Sequence, residues 1–345
     1  MRRDQGVYTS REYPYLVVVD KANGGKADAL NAGINVSRFP LISAIDSDSI
    51  IEAKAMLTLV RPFLDDTRTV AVGGIIRVAN GCSLRAGEIV EIDLAPSLLP
   101  NFQIVEYLRA FLFGRVGWDM LNGLLVISGA FGLFRKDIVT AAGGYRRYTV
   151  GEDMELIVRL HRIMREKKQP YRVTFVPEPV CWTEVPETLK VLSRQRNRWQ
   201  RGLMESLMAH KKMLFNPRYG VIGLLAMPFF FFFEMIGPII ELAGYIVFLL
   251  SFLFGMLNLQ FAILFLTVAI ILGVVLSVSS LVLEELSFKR YPRYLHVVKL
   301  FFFCIMENFG YRQLHTWWRF RGIVDYLKGE KMWGAMERKG IAQKK

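Results

Sequence analysis

The chain has 345 residues, 52% of them hydrophobic, and a formal net charge of +13 from 44 Lys and Arg against 31 Asp and Glu. This composition excludes a disordered chain, a collagen-like chain and a disulfide-stapled secreted module. The charge permits nucleic acid, anionic lipid or a phosphate-bearing substrate without choosing among them. The apolar excess gathers between Val221 and Met306, while the first two hundred residues read as an ordinary globular domain. Cys82, Cys181 and Cys304 are odd in number and too far apart for a metal-ligand spacing, which suits reduced thiols facing the cytosol. Met1–Ser10 is polar and has no apolar region of the secretory-signal kind.

Taken in order, Tyr15–Asp20 predicts a short buried strand, Lys21–Gly25 a loop, and Lys26–Asn35 a helix with Ala27, Leu30 and Ile34 on one side. Leu41–Ile45 predicts a second strand, ending at Asp46-Ser47-Asp48-Ser49. Glu52–Leu64 predicts an amphipathic helix, and Val70–Val78 a third strand. Strands alternating with helices imply a parallel or mixed α/β sheet, in which ligands bind at strand carboxyl ends. Asp20, Lys26, Asp46 and Asp48 all fall there. Gly81–Gly117 is less regular, with a helix over Phe102–Phe113. Leu124–Ser128 and Phe131–Phe134 flank the small step Gly129-Ala130, and Gly143-Gly144 marks a turn. Glu152–Lys167 predicts a helix with Leu156, Ile157, Leu160, Ile163 and Met164 inward and Arg159, Arg162 and Arg165 outward. Arg172–Pro177 predicts a strand, and Glu187–Met213 a long basic helix.

Leu259–Leu283 carries no charged residue. At about 20 residues per span it predicts a transmembrane helix. Val221–Asn258 is apolar but broken by Pro228 and Pro238, and it carries Glu234 and Glu241. It reads as two spans or as an interfacial helix running into one. Tyr294–Met306 is a weaker candidate. Lys289, Arg290 and Arg293 in the 284–293 loop, and a basic tail from Arg312, place both segments in the cytosol by the positive-inside rule. Two full spans with an interfacial segment on each side fit best, with four spans as the alternative. Glutamates in apolar sequence are costly, so Glu234 and Glu241 face a protein interior or polar pathway, or Glu234 lies at the interface.

Four clusters carry chemistry. Asp46 and Asp48, at i and i+2 past a strand, can share a hard divalent cation; a strand-end aspartate is also a common helix cap. Lys21-Ala-Asn-Gly-Gly-Lys26-Ala-Asp-Ala-Leu-Asn31 can hold anionic oxygens or be a plain strand-to-helix turn. Gly151-Glu152-Asp153 opens a helix; its carboxylates complement the helix dipole and can accept a hydroxyl proton. Gln195, Arg198 and Trp199 share one helix face, offering an amide, a guanidinium fork and a flat ring; the alternative is a basic helix on anionic headgroups.

In this order, over about Val17–Gly202, these motifs resemble the processive family-2 glycosyltransferases, the group of cellulose, hyaluronan and poly-N-acetylglucosamine synthases. The Q-x-x-R-W motif combined with the acidic pair carries the likeness. The resemblance implies an incomplete GT-A type α/β domain followed by a transmembrane helical region. Its expected parts are a cytosolic transferase domain over 1–215, a membrane region over 216–311 and a basic cytosolic tail over 312–345. It implies inverting transfer from a nucleotide sugar, most often a UDP-sugar, to a glycan or lipid-linked acceptor at the cell membrane, with Mg²⁺ or Mn²⁺ and no nucleic acid. By the same resemblance Asp46 and Asp48 match the metal-binding D-x-D, Asp153 the general base supported by Glu152, and Gln195, Arg198 and Trp199 the diphosphate and acceptor entrance. Lys26 would lie near the nucleotide, and Gly129, Ala130 and Phe131 beside the acceptor.

Two features depart from the family pattern. Gly151 stands where the family has Thr, and no D-D-G-S-like turn precedes Tyr15. The second implies a chain lacking on the order of a hundred residues at its start, a typical domain being about 100–150. The alternative function is then an inactive transferase-like membrane protein acting as a binding partner.

Overall fold

The computed structural model describes residues 6–330. The chain begins with an antiparallel ribbon of β1 (Gly6–Thr9) and β2 (Val17–Asp20). The buried strand expected over Tyr15–Asp20 is not buried: the ribbon stands outside the main sheet, and Tyr15, Leu16, Val17 and Val18 are exposed. Two strands alone give a β-branched run no second layer to pack against. Next, α1 (Lys26–Val36) turns Ala27 and Ile34 inward.

β3 (Leu41–Ile45) and the two-residue β4 (Ile50–Ile51) bracket the acidic turn, which Ser49 closes by donating its N–H to the Asp46 carbonyl at 3.0 Å. α2 (Ala55–Asp65) starts three residues later than its apolar spacing predicts, because Glu52 still donates its N–H to the Val180 carbonyl. β5 (Thr69–Val78) is buried along all its length. A hairpin of β6 (Ser83–Arg85) and β7 (Glu88–Glu91) turns at Ala86 and Gly87, both at positive φ. The irregular region that follows is in fact helical: α3 (Leu98–Tyr107), a π-helical stretch Leu108–Phe113, and α4 (Gly114–Met120).

β8 (Phe131–Arg135), α5 (Lys136–Ala141), α6 (Glu152–Glu166), β9 (Arg172–Thr183) and α7 (Leu189–Ala209) complete the α/β part. The main sheet runs β3-β8-β5-β9-β4, antiparallel except for the parallel β5–β9 pair. Arg159 of α6, expected outside, is buried. It pairs with Glu155 at 3.0 Å and donates to the carbonyls of Ala142 and Gly144, so the Gly143-Gly144 turn is wrapped around its guanidinium. A charge can be buried there because every donor has an acceptor.

Beyond α7 the segment Ile222–Met235 holds a short α8 (Met227–Phe229) between π-helical turns. It meets α9 (Gly237–Leu253) at a 40° bend, with Pro238 in the first turn of α9. α10 (Leu259–Ser287), α11 (Tyr294–Met306) and α12 (Tyr311–Leu327) follow. Among the described residues α10 is long and apolar enough to cross a membrane, and the bent pair passes the same test when taken as one span. The expected tail is a packed helix as far as Leu327: α12 buries Tyr311, Trp318 and Ile323, and its Gly322 lies against the backbone of Asn197 in α7. Residues 331–345 of that tail, and Met1–Gln5, lie outside the described residues. The core crosses the boundary expected at 215/216, since Leu281, Leu300, Phe303 and Cys304 pack in one cluster with the sheet.

Candidate active site

Three chain segments converge on Lys26. Its Nζ is 2.5 Å from Asp46 Oδ1 at the end of β3, 3.1 Å from the Gly129 carbonyl, and 3.8 Å from Glu152 Oε1 at the start of α6. The convergence follows from local chain geometry. Gly25 at φ 86° lets the chain turn sharply into α1, so Lys26 is its first residue. Asp153 is locked from the other side: its Oδ2 accepts the Gly129 N–H at 3.1 Å and its Oδ1 the Met154 N–H at 2.8 Å. A Cβ on Gly129 would lie 3.0 Å from Lys26 Nζ and 3.4 Å from Asp153 Oδ2, so backbone alone fills this gap.

The electrostatics are unbalanced in a useful way. Glu152 is 6% exposed, and burial followed by the neighbouring Asp153 charge pushes its carboxyl up to about 7, with Lys26 opposing. Arg198 feels Glu152, Asp153 and Asp46 together; burial pulls its guanidinium down, and the three carboxylates hold it up. Arg115, buried against the Phe111 ring at 4.4 Å, is pulled down to about 10 by burial and supported by Asp153 and Tyr107.

The Q-x-x-R-W residues divide their work. Gln195 is buried and accepts from Arg196 at 2.9 Å. Arg198 sits in the field of the carboxylate cluster. Trp199, 38% exposed, lines a cavity of about 370 Å³ with Glu106, Arg196, Glu234, Glu241 and His315. The indole is held by the Arg196 guanidinium 4.2 Å from its centroid, and Arg196 is itself paired with Glu106 at 2.8 Å. Glu234 pairs with Arg319 at 2.9 Å and Glu241 accepts from Thr316 at 2.9 Å, so both glutamates have protein partners. Phe131, expected beside the acceptor, turns its ring into the core. It is fully buried and its ring fills the space above Gly74, because β8 alternates it into the core. Ala130 is buried beside it, and Gly129 is the part of that step that touches the cluster.

The description "Glycosyltransferase like family 2" matches residues 8–202, more than half of the chain. The chain belongs to glycosyltransferase family 2. A second description, "Chitin synthase", matches residues 147–331 of this family-2 chain. The poly-beta-1,6-N-acetyl-D-glucosamine synthase of Staphylococcus aureus (strain COL) is 31% identical over 205 residues, which are 59% of this chain and 44% of that protein. The synthase of the same description from Staphylococcus epidermidis is 28% identical over 198 residues, 57% of this chain and 43% of that one. The matched segment therefore spans less than half the length of these curated relatives. Among solved structures, a mannosyltransferase from Pyrobaculum calidifontis in complex with GDP-Man and Mn2+ aligns with 91% of this chain and 69% of that one, at 14% identity and TM-score 0.50. That likeness establishes the GT-A fold.

Asp46 and Asp48 offer the family-2 chain two carboxylates in one turn, and oxygen donors suit Mg²⁺ or Mn²⁺. Among the described residues no group of three His, Cys, Asp or Glu forms a cage. The donor set therefore fits a cation that takes its remaining oxygens from a phosphate-bearing ligand and water. Sequence reasoning missed Arg115 and Arg196. Arg115 lies in the stretch read as irregular, and Arg196 is hidden inside its own motif between two residues that drew the attention. Sequence reasoning also gave no cause for Gly151: a Cβ there would lie 2.7 Å from Gly202 Cα, so α6 meets α7 where a Thr cannot fit.

Proposed function

We propose that this chain is a membrane-bound inverting hexosyltransferase that moves a sugar from a UDP-sugar to a hydroxyl of a glycan or lipid-linked acceptor. The observation that carries the reading is the meeting of Lys26, Asp46, Gly129 and the Glu152–Asp153 pair from four segments, with Arg198 in the same field. Asp153, its carboxylate oriented by the Gly129 and Met154 N–H groups, takes the proton of the acceptor hydroxyl. That oxygen attacks the anomeric carbon from the face opposite the diphosphate, the bond to the diphosphate breaks, and the configuration inverts. Lys26 and Arg198 neutralise the departing diphosphate. A divalent cation held by Asp46 and Asp48 would polarise the same diphosphate. Glu152, its carboxyl raised to about 7 by burial and by Asp153, is partly protonated near neutrality and so lessens the negative charge beside Asp153. Trp199 and the cavity beyond it receive the acceptor, with homology to synthases favouring a growing polymer over a single addition.

Helix geometry supports the membrane placement. α10 rises about 43 Å at 1.5 Å per residue, against about 30 Å of hydrocarbon. The segment leading into α9 is tied to α7 and α12 through Glu234, and the end of α10 to β5 through Glu284, so both ends return to the transferase side. Two crossings with the transferase domain in the cytosol satisfy this.

The test is UDP release from a panel of UDP-sugars, with Mg²⁺ or Mn²⁺, in membranes carrying the chain. Asp153→Asn should lower kcat by about 10²–10⁴-fold. Absence of UDP release with every donor would overturn the enzymatic reading and leave the binding-partner alternative.

A further inference from the structure

The turn that carries Asp46 and Asp48 is fastened from a distant part of the chain. Four residues after Asp48 stands Glu52, and between them β4 pairs with the β9 edge through two residues, Ile50 with Trp182 and Ile51 with Cys181. So short an edge pairing is weak by itself. Glu52 reinforces it: its carboxylate accepts from the Val180 N–H and the Trp182 indole N–H, each at 3.3 Å. It also receives both arms of the Arg290 guanidinium, at 2.9 and 3.4 Å. Arg290 reaches Glu178 at 3.4 Å as well, so it sits between two carboxylates.

Arg290 comes from the loop after α10. That helix ends at Ser287, and Lys289 at φ 50° bends the chain back onto the sheet. A left-handed lysine is unfavourable, and here it aims the next side chain at Glu52. The positive-inside pattern explains a basic loop at this place but not a guanidinium that is three-quarters covered and paired twice with the catalytic domain.

We infer that Arg290 is a positioning residue for the nucleotide sugar: through Glu52 it fixes the acidic turn Asp46–Ser49, so that donor affinity depends on the loop that ends the apolar helix α10. This rests on the proposed reading of that turn as the diphosphate site. In this role Arg290 acts through Glu52. A bidentate guanidinium holds a carboxylate in one plane, which a lysine cannot do. Arg293, three residues on, pairs instead with Glu91 and Asp93 near the β6–β7 hairpin and serves as the internal control.

The experiment uses the whole chain in lipid nanodiscs, as wild type, Arg290→Ala, Arg290→Lys, Glu52→Gln and Arg293→Ala. Amide hydrogen exchange over residues 46–52 and steady-state kinetics with UDP-N-acetylglucosamine are read on each. Arg290→Ala and Glu52→Gln should speed exchange in that segment and raise KM about tenfold with kcat within about twofold, the split that marks lost ground-state binding. Arg290→Lys should fall between, and Arg293→Ala should match wild type on both readouts. Unchanged exchange over 46–52 in Arg290→Ala overturns the inference. So does faster exchange with an unchanged KM, which would make the contact a mere fastening. If wild type releases no UDP from this donor or any other of the UDP-sugar panel, the proposed function fails, and the exchange comparison alone still decides whether Arg290 holds the turn.

Discussion

Gly151 and Gly202 pass each other with no space for a methyl group: a Cβ built on either would lie 2.7 Å from the Cα of the other. One residue beyond Gly151 the helix α6 presents Glu152 and Asp153, and one turn before Gly202 the helix α7 presents Arg198. The spacing of the Asp153 carboxylate and the Arg198 guanidinium thus depends on a contact that neither side chain makes.

Gly202→Ala should therefore act on both stability and rate. Forcing a methylene into a closed contact costs about 1–3 kcal/mol. The helices must separate, and Asp153 moves relative to Arg198. We expect a lower unfolding midpoint and a fall in UDP release larger than the loss of folded protein explains. Normal specific activity per folded molecule would contradict this.

The raised carboxyl of Glu152 makes stability fall as pH rises. Its folded value is about 7 against 4.5 in the unfolded chain, so between these the folded state holds the extra proton. The contribution is fully present below about pH 4.5 and is lost through about pH 7, amounting to about 3 kcal/mol at 1.36 kcal/mol per unit. Glu152→Gln should remove this slope and raise the unfolding midpoint above pH 7 while reducing turnover. Unfolding midpoints of both proteins across that range supply the measurement.

Arg196 should matter as much as the better-known members of its motif. It is almost fully buried, pairs with Glu106 and supports the Trp199 ring. Arg196→Ala leaves Glu106 charged and buried, a change worth about 3–5 kcal/mol. Arg196→Lys should recover the charge but not the flat face under the indole. Tryptophan fluorescence together with thermal unfolding separates the two effects: Lys restores stability more than it restores the emission of Trp199.

Chelation should abolish UDP release, and Mg²⁺ or Mn²⁺ should restore it. Two carboxylates, with no third His, Cys, Asp or Glu grouped with them among the described residues, imply weak binding in the absence of nucleotide. Titration calorimetry should find metal affinity increasing when UDP is present. Equal affinity with and without UDP would argue that the cation is held elsewhere.

Much of the site is visible in the bare sequence because its chemistry uses short, local patterns. Asp46 and Asp48 lie two apart at a strand end, and Gln195, Arg198 and Trp199 recur at helical spacing. The helices α1 and α10 are legible for the same reason, through unbroken periodicity or unbroken apolarity. What escaped depends on partners far away in the chain. Arg159 reads as a surface residue until the carbonyls of Ala142 and Gly144 are seen around it. Tyr15–Asp20 has the residue types of a core strand and lacks a layer to cover it. Phe131 sits beside a functional glycine, yet strand alternation turns its ring the other way. The helix expected over Phe102–Phe113 has the right place but the wrong ends: π-helical turns at Leu108–Phe113 leave no local signature, and they carry the chain on into α4.

Arg77 near the end of β5 and Glu284 near the end of α10 face each other at 2.6 Å, both buried. Neither charge has water to fall back on if the other is taken away. An excised, water-soluble version of the transferase domain would thus carry a stranded cation in its middle strand. The apolar helix is less an anchor attached to a finished enzyme than one of the pieces without which the sheet is not neutral inside. Any attempt to separate the two, in the laboratory or in descent, has to replace Arg77 along with the helix that neutralises it.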